Sequence, residues 1–295
     1  MIMMRSAQYA DLLHMCRSAS HLVVLTGAGL STESGIPDYR SPAGSYSKGH
    51  VPMQHDEFLG SDAARVRYWS RSMRGWQPFA SRHPNAGHHS LAMLQQAGML
   101  QTLITQNVDG LHSKAGSQNV LELHGSSHCV RCLGCGAVEE RARYQSRLVA
   151  LNYWSLRRGV PREADLRADG DAEVHLSAED AAAFRVPSCR RCDGTMKPDV
   201  TFFGDVVPAP LSRRAMDAVL QADALLIAGT TLSTLSAFRL AEAAAREGAA
   251  LGVLNLGPTR LERAPGIPHL KLDSACGETL SRLAEDLIGV RSRSA

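Results

Sequence analysis

Apolar residues occur along this chain in short runs, separated by longer stretches in which they recur at helical spacing. Short apolar runs rich in β-branched residues are typical of strands covered on both faces of a parallel sheet. The pattern predicts strands at 22–25, 103–105, 120–123, 224–228, 251–256 and 270–272. It predicts helices at 6–18, 61–74, 85–98, 211–221 and 235–247, and a final helix that opens at 274–278. Because strands and helices alternate, we predict an α/β protein with a doubly wound parallel sheet of about six strands.

Two segments interrupt this alternation and divide the chain into domains. Residues 43–84 lack apolar β-runs and are broken by Gly and Pro, which predicts a helical excursion with a loop that covers a ligand. Residues 129–198 contain five cysteines, which indicates a zinc-binding module. We predict that 1–42, 85–128 and 199–295 form a Rossmann-like domain and that the two interruptions form a second, smaller lobe. The active site is expected in the cleft between the lobes.

Composition excludes several classes of protein. With 295 residues, 44% of them apolar, the chain can bury a substantial core. The net charge of +3 is small and no block of like charge stands out, so a nucleic-acid partner is not expected. No run approaches the ~20 apolar residues of a membrane helix, so no membrane partner is expected. The first twenty residues lack the uninterrupted apolar segment of a signal peptide, and we expect a cytoplasmic protein.

A glycine-rich loop follows the first predicted strand directly. Gly27 and Gly29 allow the backbone to turn tightly and to approach a diphosphate with successive N–H groups. Thr32 occupies the position of the third glycine of the dinucleotide fingerprint, so this loop alone indicates a structural turn equally well. Residues 35–41, Gly-Ile-Pro-Asp-Tyr-Arg-Ser, then combine a rigid Pro, a carboxylate, an aromatic ring and a guanidinium. Such a stretch is typical of a loop that covers a ligand.

Polar or small residues also follow the other predicted strands, at the edge where ligands bind in open α/β sheets. Asn107 and Asp109 follow the strand at 103–105, and one of them could instead cap the next helix. His124 ends the strand at 120–123 and is followed by a glycine that exposes its ring, although a single His in such a position is more often structural.

Four of the seven cysteines form two C-x-x-C pairs, which indicates a zinc site more strongly than redox or chance pairing. The predicted ligands are Cys132, Cys135, Cys189 and Cys192. Cys129 is the spare, because Gly136 gives the later pair the turn of a zinc knuckle. Four thiolates leave no open position, so the metal is expected to stabilise the fold. The polar, Arg-rich residues 136–188 have little periodicity and are interpreted as an insertion on this module.

Residues 27–41 resemble the signature of the sirtuins, the NAD-dependent protein-lysine deacylases, and their Ser-Thr-Glu-Ser and Asp-Tyr-Arg are similar to the class II branch. Gln-Asn-Val-Asp-Gly-Leu-His at 106–112 resembles the second signature of the family, and Glu-Leu-His-Gly at 122–125 resembles its catalytic motif. The resemblance extends from about residue 20 to about residue 285, in every motif of the family.

The resemblance implies NAD as cosubstrate, one structural Zn²⁺ and acyl-lysine proteins or peptides as partners. The carbonyl oxygen of the acyl-lysine would attack the nicotinamide ribose, nicotinamide would leave, and water would release lysine and acyl-ADP-ribose. His124 would be the catalytic general base. The cofactor-binding residues that the resemblance implies are Gly27, Ala28, Gly29, Ser31, Ile36, Asp38, Tyr39, Arg40, Gln106, Asn107, Asp109, Gly229, Thr230, Thr231, Asn255, Leu256, Gly257 and Cys276.

Two other functions stay open at this point. Protein mono-ADP-ribosyl transfer uses the same cleavage of NAD, and a weak NAD or ADP-ribose sensor, or an adaptor, uses the same binding fold. The intact set of Asn107, Asp109 and His124 argues against a pure binder. Sirtuins that remove acidic acyl groups have an Arg three residues after a Tyr in the cofactor-binding loop, whereas here Gly49 follows Tyr46. We therefore predict no preference for succinyl-lysine, although Lys48 could partly substitute for the missing Arg.

Overall fold

The computed structural model describes residues 2–158, 166–174, 176–264 and 266–293. Its strands are β1 (Leu22–Thr26), β2 (Thr102–Thr105), β3 (Leu121–Glu122), β4 (Gly125–Cys132), β5 (Val138–Glu140), β6 (Met196–Val200), β7 (Ala224–Ala228), β8 (Ala250–Leu254) and β9 (Leu270–Leu272). Its α-helices are α1 (Ile2–Ser18), α2 (His55–Gly60), α3 (Asp62–Ala80), α4 (Ala86–Gln96), α5 (Leu111–Lys114), α6 (Arg141–Asn152), α7 (Ala178–Ala183), α8 (Ala209–Leu220), α9 (Leu235–Arg246) and α10 (Cys276–Arg293). Short 3₁₀ turns cover Ala28–Leu30, Thr32–Ser34, Tyr153–Arg158 and Leu261–Arg263.

The main sheet has six strands in the order β3-β2-β1-β7-β8-β9, and every pair is parallel. Side chains of β1 alternate between the two faces of this sheet, because successive residues of a strand point in opposite directions. Leu22 and Val24 pack with α1, α4 and α10, whereas Val23 and Leu25 pack with α8 and α9. The predicted doubly wound parallel sheet of six strands is confirmed, and β1 lies inside it with a neighbour on each side.

The second lobe consists of an antiparallel sheet in the order β5-β4-β6, packed against α2, α3 and α6. The helix predicted at 61–74 is longer in the structure and continues past Gly75 to Ala80. A Cβ at Gly75 would lie 2.3 Å from the carbonyl carbon of Asp171. This glycine therefore allows a close approach of another segment and does not end the helix.

The first part of 136–188, whose structure the sequence did not predict, folds as α6. Tyr144 and Leu148 of this helix are buried against α3. The periodic signal is weak because Arg141 and Gln145 are buried on the same face: Arg141 donates a hydrogen bond to Gln145 and packs over the ring of Trp76 at 4.9 Å. Buried polar groups with such partners are tolerated, but they hide an apolar face from sequence reading.

None of the described helices is both long enough and apolar enough to cross a lipid bilayer.

The junction between the two sheets generates a stability prediction. Gly125, with φ of +80°, joins the end of β3 to β4, and a Cβ there would lie 2.0 Å from the carbonyl oxygen of Asp199 in β6. We expect Gly125→Ala to lower the melting temperature by about 4 °C or more, because the residue would be strained and would separate the paired strands.

Gly60→Ala is the matched control, since a Cβ at this helical glycine would meet no atom within 4 Å. Thermal unfolding followed by circular dichroism measures both variants. Equal melting temperatures of wild type and Gly125→Ala would contradict the tight strand pairing.

Candidate active site

The loops that follow β1 and β7 touch each other at the carboxyl edge of the main sheet. The backbone N–H of Gly27 donates to the carbonyl of Ala228 at 3.2 Å, and that of Gly29 donates to the carbonyl of Gly229 at 2.8 Å. A Cβ at Gly27 would lie 2.6 Å from the Cβ of Thr230, and one at Gly29 would lie 2.8 Å from the oxygen of Gly229. The two glycines are thus required for contact between the loops, and in this structure their backbone N–H groups donate within the protein.

The first loop is anchored from two further elements. Asn85, which caps α4, donates from its amide to the carbonyl of Leu30 at 2.7 Å and to the hydroxyl of Ser34 at 3.0 Å. Glu33 accepts a hydrogen bond from the backbone N–H of Gly277 in α10 at 2.9 Å. The loop is therefore held rigidly before any ligand binds.

A small enclosed cavity lies beneath this loop. Its lining residues are Ala28, Ser31, Ile36, Tyr39, Asn107, Val108, Asp109 and Ala168. The Ser31 hydroxyl donates to Asp109 Oδ2 at 2.7 Å and accepts from Asn107 Nδ2 at 3.0 Å, and Asn107 also donates to the carbonyl of Gly27 at 3.1 Å. Burial raises the pKa of Asp109. An amide and a carboxyl side by side can hydrogen-bond a small planar amide such as nicotinamide, but the cavity, at about 10 Å³, has room for one water molecule and would have to widen to admit that group.

Asp109 also interacts with the start of α5. The sequence predicted that Asn107 or Asp109 could cap this helix. Its Oδ1 accepts a hydrogen bond from the backbone N–H of Leu111 at 2.9 Å at the start of α5. The N-cap of α5 is Gly110, so neither Asn107 nor Asp109 is the capping residue itself, but this bond fixes the direction of the Asp109 carboxyl group.

The imidazole of His124 is held from both of its nitrogens. Nδ1 lies 3.1 Å from the carbonyl oxygen of Gln106, and Nε2 lies 2.9 Å from the hydroxyl of Ser236. A carbonyl oxygen only accepts, so Nδ1 must carry the proton, and Nε2 is then the basic nitrogen. Burial lowers the pKa of His124, against the opposing effect of the hydrogen bond to Gln106, so the ring is neutral over a wider pH range than that of a free histidine.

Gln106 links His124 to the β7 loop. Its amide donates to the hydroxyl of Thr230 at 2.9 Å and to the carbonyl of Thr26 at 3.2 Å, and its Oε1 accepts from the hydroxyl of Thr234 at 3.0 Å. The predicted site residues at the ends of β1, β2, β3 and β7 are thus joined in one hydrogen-bonded network.

The cofactor-binding loop predicted after residue 35 is ordered by its own residues. Asp38 accepts hydrogen bonds from the backbone N–H groups of Arg40 and Ser41, at 3.0 and 2.8 Å. The ring of Tyr39 lies 5.2 Å from that of Tyr46, and the guanidinium of Arg40 lies 5.4 Å from the Tyr46 ring. In this structure Asp38 therefore shapes the loop, and Arg40 stays exposed at its edge.

Residues predicted for the adenosine end lie at the ends of β7 and β8. Asn255 donates from its amide to the carbonyls of Leu256 and Gly257, at 2.8 and 3.2 Å, and the hydroxyl of Thr231 bonds to that of Ser233. Cys276 lies at the start of α10, and its thiol is buried, as is usual for an isolated cysteine. Its sulfur lies 3.8 Å from the carbonyl oxygen of Leu254, the last residue of β8, so the residue is close to the edge where the adenosine end is predicted.

Three site residues escaped the sequence analysis. Ser236 and Thr234, at the start of α9, have the residue types of ordinary helix-start positions, and nothing in the sequence links them to His124 or Gln106. Ala168 lines the small cavity from the chain segment between the two cysteine pairs. Only the tertiary structure brings that segment to the cavity, and an alanine carries no chemical signal.

The four cysteines predicted as zinc ligands lie together, with sulfur atoms all within 4.8 Å of one another. The distance is 3.5 Å between the sulfurs of Cys132 and Cys192, and 3.7 Å between those of Cys135 and Cys189. Tetrahedral Zn–S bonds require sulfurs about 3.8 Å apart, so the cluster fits Zn²⁺ without rearrangement. Cys129 lies outside it, opposite Glu140 in the strand pair.

Backbone N–H groups support the thiolates, as a zinc knuckle requires. Gly134 donates to the sulfur of Cys132 at 3.3 Å, and Arg191 donates to that of Cys189 at 3.4 Å. Gly136 has the expected left-handed conformation after the first pair, whereas Asp193 and not Gly194 has it after the second, with φ of +54°. Aspartate tolerates this conformation better than most residues, so the knuckle forms without a glycine at that position.

The fold and the site define an α/β protein of the dinucleotide-binding class, with a half-buried histidine at the carboxyl edge of its sheet and a separate cysteine-lined metal site in its second lobe. The model of the Sir2 family matches residues 27–236. The chain belongs to the Sir2 family.

Relatives support this membership over almost the whole chain. It is 44% identical to the NAD-dependent protein deacylase SRT2 of Arabidopsis thaliana, over 93% of this chain and 75% of that protein. It is 45% identical to the mitochondrial NAD-dependent protein lipoamidase sirtuin-4 of Bos taurus, over 89% and 81%. It is 44% identical to an NAD-dependent protein deacetylase of Bordetella bronchiseptica, over 90% and 93%.

Among solved structures, the chain is similar to a complex of Sir2 with p53 peptide and NAD⁺. The TM-score is 0.72 at 28% identity, over 94% of this chain and 97% of the other. An ADP-ribose complex of a mutant Sir2 homologue gives a TM-score of 0.74, also at 28% identity, over 96% and 97%.

The metal site generates a prediction with a control in the same module. We expect Cys189→Ser to lose bound zinc and to melt well below wild type, because removal of one thiolate opens a structural site. Cys129→Ser should retain zinc and melt like wild type, since Cys129 lies outside the cluster. For both variants, inductively coupled plasma mass spectrometry measures the zinc content and thermal unfolding measures the melting temperature. If Cys189→Ser kept its zinc and its melting temperature, the assigned ligands would be wrong.

The environment of His124 generates a prediction about pH. Since burial lowers its pKa, we expect the ring to become protonated only below the ordinary histidine value of about 6.5. An NMR titration of the imidazole resonances measures this directly, with the His124→Ala spectrum to assign the signal. A midpoint for His124 at or above about 6.5 contradicts the burial argument.

Proposed function

We propose that this chain is an NAD-dependent protein-lysine deacylase that transfers the acyl group to ADP-ribose and releases nicotinamide. The observation that carries the proposal is the fixed tautomer of His124, whose Nε2 is left basic by the hydrogen bond from Nδ1 to Gln106. The names of the relatives as deacylases and deacetylases support the same activity.

The chain's own residues suit this chemistry in three ways. The backbone of the loop after β1 would hold the diphosphate, and Asn107, Ser31 and Asp109 would hydrogen-bond the amide of nicotinamide once the cavity between them widens. Buried Ile36 contributes an apolar wall that excludes water from the cavity. His124 Nε2 would accept a proton at the end of β3, as a general base that is neutral at physiological pH.

NAD, when bound, supplies the ribose to which the acyl group is transferred. Ser236 is hydrogen-bonded to His124 Nε2 in this structure, so its hydroxyl occupies the position from which a substrate hydroxyl would donate. Ser236 therefore keeps the basic nitrogen oriented until a substrate hydroxyl replaces it.

We propose acyl-lysine proteins or peptides as partners, and the similarity to a Sir2 complex that contains a p53 peptide supports a peptide substrate. The cytoplasmic location expected from the sequence stays a prediction. The roles assigned to individual cofactor-binding residues and the domain boundaries also stay predictions.

The test is mass spectrometry of the purified protein with NAD and a panel of acyl-lysine peptides. We expect nicotinamide and acyl-ADP-ribose from wild type, and a loss of about 10²-fold or more in His124→Ala, which removes the base. His14→Ala is the control, as an exposed histidine on α1. Calorimetry should show that His124→Ala still binds ADP-ribose. Succinyl-lysine should react no faster than acetyl-lysine, because Gly49 takes the place of the Arg that follows the Tyr by three residues in sirtuins that remove acidic acyl groups.

The other functions give different results in the same assay. Nicotinamide release with a mass gain on the protein would indicate ADP-ribosyl transfer, and ADP-ribose binding without turnover would indicate a sensor. Undiminished deacylation by His124→Ala would refute the assigned base.

A further inference from the structure

A large cavity lies outside the small cavity beneath the β1 loop. It has a volume of about 1030 Å³ and is formed between α9 and the loop that joins β8 to β9. Phe238, Glu242 and Arg246 line it from α9, and Arg260 and Arg263 line it from the loop. We call this cavity the α9 groove.

Only the upper end of the α9 groove reaches the edge of the sheet, where Arg40 and Thr231 contribute to its lining. From there the groove follows α9 to Arg246 in the last turn of the helix. A twelve-residue helix is about 18 Å long, so the lower part of the groove lies beside the sheet and away from the predicted cofactor site.

The charges of the α9 groove are unbalanced. Four arginines line it, namely Arg40, Arg246, Arg260 and Arg263, against the single carboxylate of Glu242. Within the described part of the chain, none of the four guanidiniums lies in an ion pair. Other arginines of the chain are paired, as Arg131 is with Asp199 at 2.8 Å. The groove therefore presents a concentrated positive potential that the protein does not neutralise.

Two of the guanidiniums are placed by contacts that leave their charge available. Arg260 packs over the ring of Phe238 at 4.0 Å, and its backbone N–H donates to the carbonyl of Thr231 at 2.9 Å. Arg246 lies at the carboxyl end of α9, where the helix dipole favours a cation. Stacking on an aromatic face orients a guanidinium and keeps its edge free for hydrogen bonds.

We propose that the α9 groove binds a small molecule that carries an oligophosphate group, at a site that meets the cofactor-binding residues only at Arg40 and Thr231 and otherwise lies along α9 and the loop between β8 and β9. Guanidiniums bind phosphate oxygens in bidentate pairs, and several convergent arginines suit a group with several negative charges. The volume is that of a small-molecule site.

The test is calorimetry with inorganic tripolyphosphate, which lacks the adenosine that NAD offers to its own site. We expect saturable binding with one site per chain. Arg246→Ala/Arg263→Ala should weaken it by about tenfold or more, because two charge-assisted hydrogen bonds are lost. Both side chains are exposed, so the fold should be retained. Glu242→Gln should tighten binding, because it removes the only carboxylate of the groove.

Arg213→Ala/Arg214→Ala is the matched control, since it removes the same charge from exposed positions on α8. This variant should bind tripolyphosphate like wild type. Equal weakening in both double variants would mean unspecific attraction to a basic protein and would overturn the proposal. Absence of saturable binding to wild type would also overturn it.

A repeat titration with the protein saturated by ADP-ribose separates the groove from the cofactor loop. Tripolyphosphate should still bind, and its complete displacement would overturn the proposal by placing the anion on the Gly27 loop. Failure of ADP-ribose itself to bind would instead count against the proposed deacylase. In that case the titration without ADP-ribose would still test whether the α9 groove binds tripolyphosphate.

Discussion

The contact between the loops after β1 and β7 is the constraint on which the site depends. Gly27 and Gly29 lie so close to Gly229 and Thr230 that no side chain fits between the loops. Since both loops leave adjacent central strands, their contact fixes the edge of the sheet where the other polar side chains converge. Gln106 then bonds to both β1 and Thr230, and it holds His124 through its carbonyl. The loop contact therefore positions His124 indirectly, through Thr230 and Gln106.

Burial gives the polar groups of this edge their chemical character. The carboxyl of Asp109 and the ring of His124 are both removed from water, which raises the pKa of the acid and lowers that of the base. Each shift favours the neutral form, because a charge is costly in a medium of low dielectric constant. The hydrogen bonds from Ser31 and to Gln106 keep these groups oriented. A preorganised site with a basic imidazole nitrogen is suited to a reaction that uses such a nitrogen at physiological pH.

The second lobe differs from the main sheet in what stabilises it, namely a cysteine cluster and a buried arginine. Its small antiparallel sheet carries the cysteine cluster at one end, and buried Arg141 and Trp69 pack together at the other. This lobe also supplies Ala168 to the cavity beneath the Gly27 loop, from chain that lies between the two cysteine pairs. The cysteine cluster therefore affects the site indirectly. It anchors both ends of the chain segment that contains Ala168.

The sequence by itself determined the order of strands and helices, the parallel sheet, the four clustered cysteines and the family. Each of these depends on local spacing: apolar runs for the strands, C-x-x-C for the metal site and contiguous motifs for the Gly27 loop and His124. Tertiary structure alone decided that Gly75 continues a helix and that Arg141 is buried in α6. It also decided that Ser236 meets His124 and that four arginines converge along α9. These features depend on contacts between residues far apart in the chain. Local sequence does not show which partner makes a buried charge or a close approach favourable.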